Sequence, residues 1–224
     1  MSWFLKTINS SIGKKLIMSL AGLFLIVFLL VHLSINLTLL RDDDGAWFSA
    51  AAGFMSKNYI IKVFEVVLML GFLLHIIYGI IVQIQNWMAR PVRYKIENLT
   101  SQTSFFSKFM IHTGIIVFIF LAIHFLNFYF VKFGIVAVPA GAKDKHDFYT
   151  MAMNLFQNKT YVILYVAFML FLGFHLQHAF QSAFQTLGLN QNKYTPLIKI
   201  AGTLYSIVIA VGFSIIPILI YLYY

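Results

Sequence analysis

The sequence predicts an all-α membrane protein, a five-transmembrane-helix up-and-down bundle in which residues 1–224 form a single integral-membrane domain. Three observations predict it. Hydrophobic residues make up 61% of the chain and charged residues 10%, against about 45–50% and about 25% in soluble domains. The apolar residues gather into five stretches, each at or above the roughly 20 residues that a bilayer-spanning helix needs. The segments between the stretches are short, which makes consecutive helices antiparallel neighbours.

This composition excludes a soluble globular enzyme, a disordered chain and a nucleic-acid-binding domain. The net charge of +9 is carried by basic residues set between apolar blocks, a distribution suited to anionic lipid. The chain has no cysteine. Disulfides, Cys-ligated zinc and iron–sulfur clusters are therefore outside its own chemistry.

The first stretch is Lys15–Leu40. Its apolar run begins near Leu16 and is long enough to span, so it reads as a retained helix rather than a cleaved signal. Trp47, Phe48, Ala50, Ala51, Ala52, Phe54 and Met55 follow, a segment expected to lie along the membrane interface. The second and third stretches are Tyr59–Met88 and Lys108–Phe133. After them come Lys143, Asp144, Lys145, His146 and Asp147, expected as a solvated hairpin. The fourth and fifth stretches are Tyr161–Thr186 and Lys199–Tyr221, with Pro217 placed to kink the fifth.

Loop Lys and Arg residues orient the bundle. One side carries nine: Lys6, Lys14, Lys15, Arg90, Arg93, Lys95, Lys108, Lys193 and Lys199. The other carries seven: Arg41, Lys57, Lys62, Lys132, Lys143, Lys145 and Lys159. The tight clusters Lys14–Lys15 and Arg90/Arg93/Lys95 adjoin spans on the first side. The expectation is a multi-pass protein of the cell inner membrane with a cytoplasmic N-terminus.

Ionisable residues at membrane depth are costly and functional by default. The spans hold His32, His75, His112, His124, His175 and His178, and the fifth has none. Because the chain alternates direction, residues past the midpoint of odd helices lie in the outer half, and those past the midpoint of even helices in the inner half. His32 and His124 then share an outer layer, and His75 and His175 an inner one. Counting residues from the midpoints puts the layers on the order of 10 Å apart.

Two opposed imidazoles at one depth are what a bis-histidine haem requires: the iron takes one nitrogen on each face of the porphyrin, and the macrocycle slots between helices. Residues at i±4 share the face of each histidine. They are Gly71 and Gly79 around His75, Phe120 and Phe128 around His124, Phe28 and Asn36 around His32, and Phe171 and Ala179 around His175. The expectation is two haems in a four-helix core. His178 stands as an alternative to His175, and His112 as either a propionate contact or an interfacial residue. Lys14, Lys15, Ser19, Arg90 and Arg93 on one side, and Arg41 on the other, are the propionate partners on offer.

The stretches FLIVFLLVHLSINL around His32, WFSAAAGFM, FLLHIIYG around His75, TGIIVFIFLAIHF ending past His124, and FLGFHLQHAFQSAFQTLG around His175 resemble the di-haem cytochrome b subunit of succinate dehydrogenase and fumarate reductase, in the version with one five-helix anchor polypeptide. The resemblance covers most of residues 10–190. It implies that His32 and His124 hold the haem b distal to the soluble subunits, and that His75 and His175 hold the proximal one. It also implies a flavoprotein subunit and an iron–sulfur subunit on the cytoplasmic face, and menaquinone as the quinone. Such a subunit passes electrons between the iron–sulfur partner and the quinone and does not itself act on succinate or fumarate.

Quinone chemistry needs a proton route. Glu65 is the acid within a predicted span, ten residues before His75 and about 15 Å toward the outer face. It reads either as a residue lining a quinone or proton path, or as an interfacial acid favoured by the helix dipole. Some members of the family carry an acid just after the FM of the first outer loop, where this chain has Ser56, and a glutamate where it has Gly173. Competing readings are a cytochrome b anchor of a hydrogenase, formate dehydrogenase or b561-type reductase, and a transporter relaying protons through His and Glu65. Inverted repeats and broken helices, common in transporters, are not evident in the sequence.

Overall fold

A computed structural model describes residues 10–88, 109–189 and 191–224. The helices among these residues are α1 (Ser11–Leu37), α2 (Ala46–Lys57), α3 (Tyr59–Met88), α4 (Met110–His124), α5 (Phe130–Lys132), α6 (Phe148–Phe156), α7 (Lys159–Thr186) and α8 (Thr195–Tyr223). A 3₁₀ turn (Thr38–Leu40) extends α1, and a π turn (Phe125–Tyr129) joins α4 to α5. Five helices are long and apolar enough to cross a membrane: α1 with its 3₁₀ turn, α3, α4 through α5, α7 and α8. They are the first to fifth spans below. Among the described residues there is no strand.

Capping sets where the spans begin. The Ser10 side chain accepts from the Gly13 N–H at 3.0 Å, so α1 starts at Ser11 and takes Lys14 and Lys15 into its first turns. Asn158 caps α7 by accepting from Thr160 N–H at 2.9 Å, two residues before the expected start. The fifth span begins at Thr195, ahead of the expected Lys199, because Pro196 fits the first helical turn, where an N–H is not needed. It runs without interruption through the buried Pro217 to Tyr223. Lys6, Arg90, Arg93, Lys95 and Lys108 lie outside the described residues.

Side-chain registers show that successive spans run in opposite directions. On the first and second spans Met18 meets Gly79, Gly22 meets His75, and Phe24 meets Gly71. On the third and fourth, Gly114 meets His175 while Phe120 and Asn127 meet Tyr165. On the fourth and fifth, Gly173 meets Ala210 and Phe180 meets Gly202. The second and third spans are joined by side chains: Phe72 sits edge-on to Phe125, and Lys132 pairs with Glu65. The first and fourth spans pack directly. The first four spans thus form a square in chain order, with first and third on one diagonal and second and fourth on the other. The fifth packs outside, against the first and fourth, through Tyr205 Oη donating to the Ile26 carbonyl at 2.8 Å and through Leu33 seated on Gly212.

Small residues let these helices approach, as in membrane bundles generally. A Cβ on Gly173 would lie 2.9 Å from Ala210 Cβ, so position 173 faces the fifth span and has no room for an acidic side chain. Large apolar side chains such as Leu70, Leu73, Ile77 and Ile84 on the second span stay exposed, the face that hydrocarbon would cover.

The segment after the third span is not only a solvated turn. Asp147 accepts from Lys143 N–H at 3.0 Å and Thr150 N–H at 3.2 Å, and so caps α6. Met151, Ala152 and Phe156 of α6 are buried. Phe48 of α2 is buried against Tyr149. Burial alone would raise the Asp147 carboxyl, but the Lys143 and Thr150 hydrogen bonds and the Lys143 charge outweigh it and hold the group below the usual carboxylate range.

Two outcomes are expected. Gly173→Val should destabilise the detergent-solubilised protein by about 1–3 kcal/mol through overpacking, and adding Ala210→Gly should recover part of that loss in thermal unfolding. The depressed Asp147 carboxyl contributes stability that is present above its unfolded pKa and lost as pH falls through its folded one. Proteolytic nicking of residues 143–152 should therefore rise on acidification through the carboxylate range. Asp147→Ala should be nicked readily at neutral pH.

Candidate functional site

The square brings four imidazoles from four successive spans into its interior as two facing pairs. His75 and His175, on the second–fourth diagonal, have ring centroids 6.4 Å apart and planes at 83°. His32 and His124, on the first–third diagonal, have centroids 5.9 Å apart and planes at 84°. Ten residues separate Gly22, the contact of His75, from His32 on the first span, and ten separate Gly114, the contact of His175, from His124 on the third. At the helical rise the levels lie about 15 Å apart. This exceeds the spacing of order 10 Å expected from helix midpoints.

At the His75/His175 level the rings reach inward past glycine. A Cβ on Gly22 would lie 3.2 Å from His75 Cε1, and one on Gly114 would lie 3.5 Å from His175 Cε1. Gly71 and Gly79, which share the His75 face, are instead taken up by Phe24, Leu25 and Met18 of the first span. The His75 Nδ1 is 3.3 Å from the Met18 carbonyl, and the His175 Nδ1 is 3.3 Å from Thr113 Oγ1.

The His32/His124 level is aromatic. Phe28 stacks on His32 with centroids 5.2 Å apart, and Phe213 of the fifth span lies 5.7 Å away. Phe120 stacks on His124 at 5.6 Å, and Phe128 and Tyr165 close around it at 5.2 and 6.4 Å. Asn127 donates to the Tyr165 hydroxyl at 2.9 Å. The π turn begins directly after His124, and such turns gather at functional sites. Among the described residues the buried His124 Nδ1 has no hydrogen-bond partner. Asn36 turns back onto its own helix, donating to the His32 carbonyl at 2.7 Å.

The spacing of each pair suits two imidazoles that share one metal. Metal–imidazole bonds of about 2 Å on opposite sides of one metal place ring centroids about 6 Å apart, and the observed 5.9 and 6.4 Å meet that condition. Perpendicular ring planes are compatible, because each ring can turn about its metal–nitrogen bond. Among the described residues no group of three or more His, Asp or Glu side chains is placed to hold a bare ion.

The remaining residues sort differently. His75 faces the His175 ring, and His178 is half-buried one turn further on. His112 is exposed beside Phe109 and joins neither pair. Ser19 is buried on the first span. Arg41 is engaged at the opposite end, 3.4 Å from Asp43 and stacked on Trp47 at 4.6 Å. Glu65 is not a free acid: its Oε1 accepts from Lys132 Nζ at 2.5 Å, with Tyr129 and Phe133 rings beside the ammonium. Both side chains are about a quarter exposed. Sequence reasoning missed Lys132, Gly22, Gly114 and Thr113. The Thr-Gly pair opening the third span was the available signal for two of them.

Glu65→Leu and Lys132→Met should each destabilise the solubilised protein, by about 1–3 kcal/mol, because each removes one partner of the Glu65–Lys132 pair and leaves the other largely buried and unsatisfied. The double variant should lose less than the sum in a thermal double-mutant cycle. No family model, curated protein or solved structure matches the chain, so its functional reading rests on these side chains.

Proposed function

We propose that the chain is a di-haem cytochrome b membrane anchor of the succinate dehydrogenase/fumarate reductase type. One observation carries this reading: imidazoles from four successive spans face one another in two pairs, 5.9 and 6.4 Å between centroids, at two levels of one apolar bundle. His32 and His124 would hold one haem b, and His75 and His175 the other. When bound, the haems supply one-electron transfer along the membrane normal, linking an iron–sulfur partner to menaquinone.

The chain's own residues bind, orient and exclude water. Two ring nitrogens per level, one from each of two spans, would hold the iron of each haem. Phe28, Phe120, Phe128 and Phe213 surround the outer pair and keep its dielectric low, a lever on redox potential. Glu65, ten residues before His75 on the second span, accepts from Lys132 Nζ of the third. They are the pair we assign to proton exchange with menaquinone. The flavoprotein and iron–sulfur subunits belong on the cytoplasmic face of the inner membrane, beside Lys14, Lys15 and the inner histidine level.

Purified wild-type protein should carry two haems per chain. His32→Ala or His124→Ala, and the double variant, should leave one, with the same haem lost in each. His75→Ala or His175→Ala should lose the other. Four variants that all keep two haems overturn the ligand set. Co-purification with a flavoprotein supports this anchor type, and co-purification with a hydrogenase or formate dehydrogenase replaces it.

A further inference from the structure

Three hydrogen bonds on the inner level determine which imidazole nitrogen carries the proton. The Thr113 hydroxyl donates its single hydrogen to the Met110 carbonyl at 2.9 Å, the back-bond a threonine commonly makes within a helix. Its oxygen, 3.3 Å from His175 Nδ1, is then left with only lone pairs to offer. The contact requires hydrogen on Nδ1, with the imidazole donating. Across the square, the Met18 carbonyl, 3.3 Å from His75 Nδ1, sets His75 the same way. Both contacts are met when the two rings are Nδ1–H tautomers with the lone pair on Nε2.

We propose that Thr113 is a positioning residue for the inner imidazole pair, fixing His175 as the Nδ1–H tautomer and strengthening Nε2 as an electron donor to a metal. The inference rests on the haem reading above. Gly114 beside it keeps the ring in reach: its missing side chain leaves His175 Cε1 at 3.5 Å from the Cβ position. A hydrogen bond from the distal N–H of a metal-bound imidazole orients the ring and raises its basicity. The outer level lacks the equivalent, since His124 Nδ1 has no partner. The two levels thus differ in one testable respect: only the inner haem should respond to position 113.

The test is a redox titration, with haem quantitation, of the purified complex carrying Thr113→Val, which keeps the shape and removes the oxygen, and Thr113→Ser, which keeps the oxygen. Thr113→Val should retain two haems and move one midpoint potential upward, because the ferric state loses donation from His175. The other potential should stay fixed, and Thr113→Ser should titrate as wild type. Loss of the inner haem in the valine variant alone supports the same role. Two unchanged potentials in Thr113→Val with both haems present, or equal haem loss in both variants, overturns the proposal. A wild-type complex without haem would instead sink the haem reading itself.

Discussion

An imidazole in the middle of a membrane is costly unless the bundle encloses it and gives its ring nitrogens something better than hydrocarbon. Four such rings sit inside this bundle, and its architecture follows from housing them. The pairs occupy the diagonals of a square of helices, and because the two diagonals lie at different levels, neither obstructs the other. The spans at the corners need close neighbours only along the edges. Three edges are made by direct helix packing, and the fourth by the Phe72–Phe125 contact and the Glu65–Lys132 ion pair. The fifth span carries no histidine and stands outside the square, buttressing the corner where the first and fourth spans meet.

The two levels solve the same problem with different materials. The inner one uses absence and polarity: glycines at 22 and 114 admit the rings, and the Met18 carbonyl and Thr113 hydroxyl lie 3.3 Å from their Nδ1 atoms. The outer one uses aromatic enclosure and leaves His124 Nδ1 without a partner. A π turn widens the third span directly after His124, bringing Asn127 to Tyr165 and Lys132 to Glu65. Polarity at membrane depth is thereby concentrated where the ring pairs need ordering and where the outer end is tied together.

Much of this was legible in the sequence, for physical reasons. A bilayer demands unbroken apolar runs, so the five spans stand out, and it penalises histidine, so the rings stand out against them. Alternating direction then turns position along each run into depth, which groups His32 with His124 and His75 with His175 as the rings are found to meet. What stayed hidden depends on contacts distant in sequence. The i±4 rule pointed to Gly71 and Gly79, but the register of the first two spans gives those positions to Phe24 and Met18 and leaves Gly22 to face His75. Lys132 was read as an outer-loop charge because its partner lies 67 residues away. Helix α6 was readable in principle, since Asp147 precedes apolar residues at 151, 152, 155 and 156. The charges at 143–147 masked it.

Each ring pair is proposed to grip one iron porphyrin. The most direct measurement is a reduced-minus-oxidised absorption spectrum of the purified wild-type protein, read together with its haem-to-chain ratio. The account predicts a low-spin b-type α-band and two haems per chain. A protein that is folded and helical yet shows no α-band would contradict it.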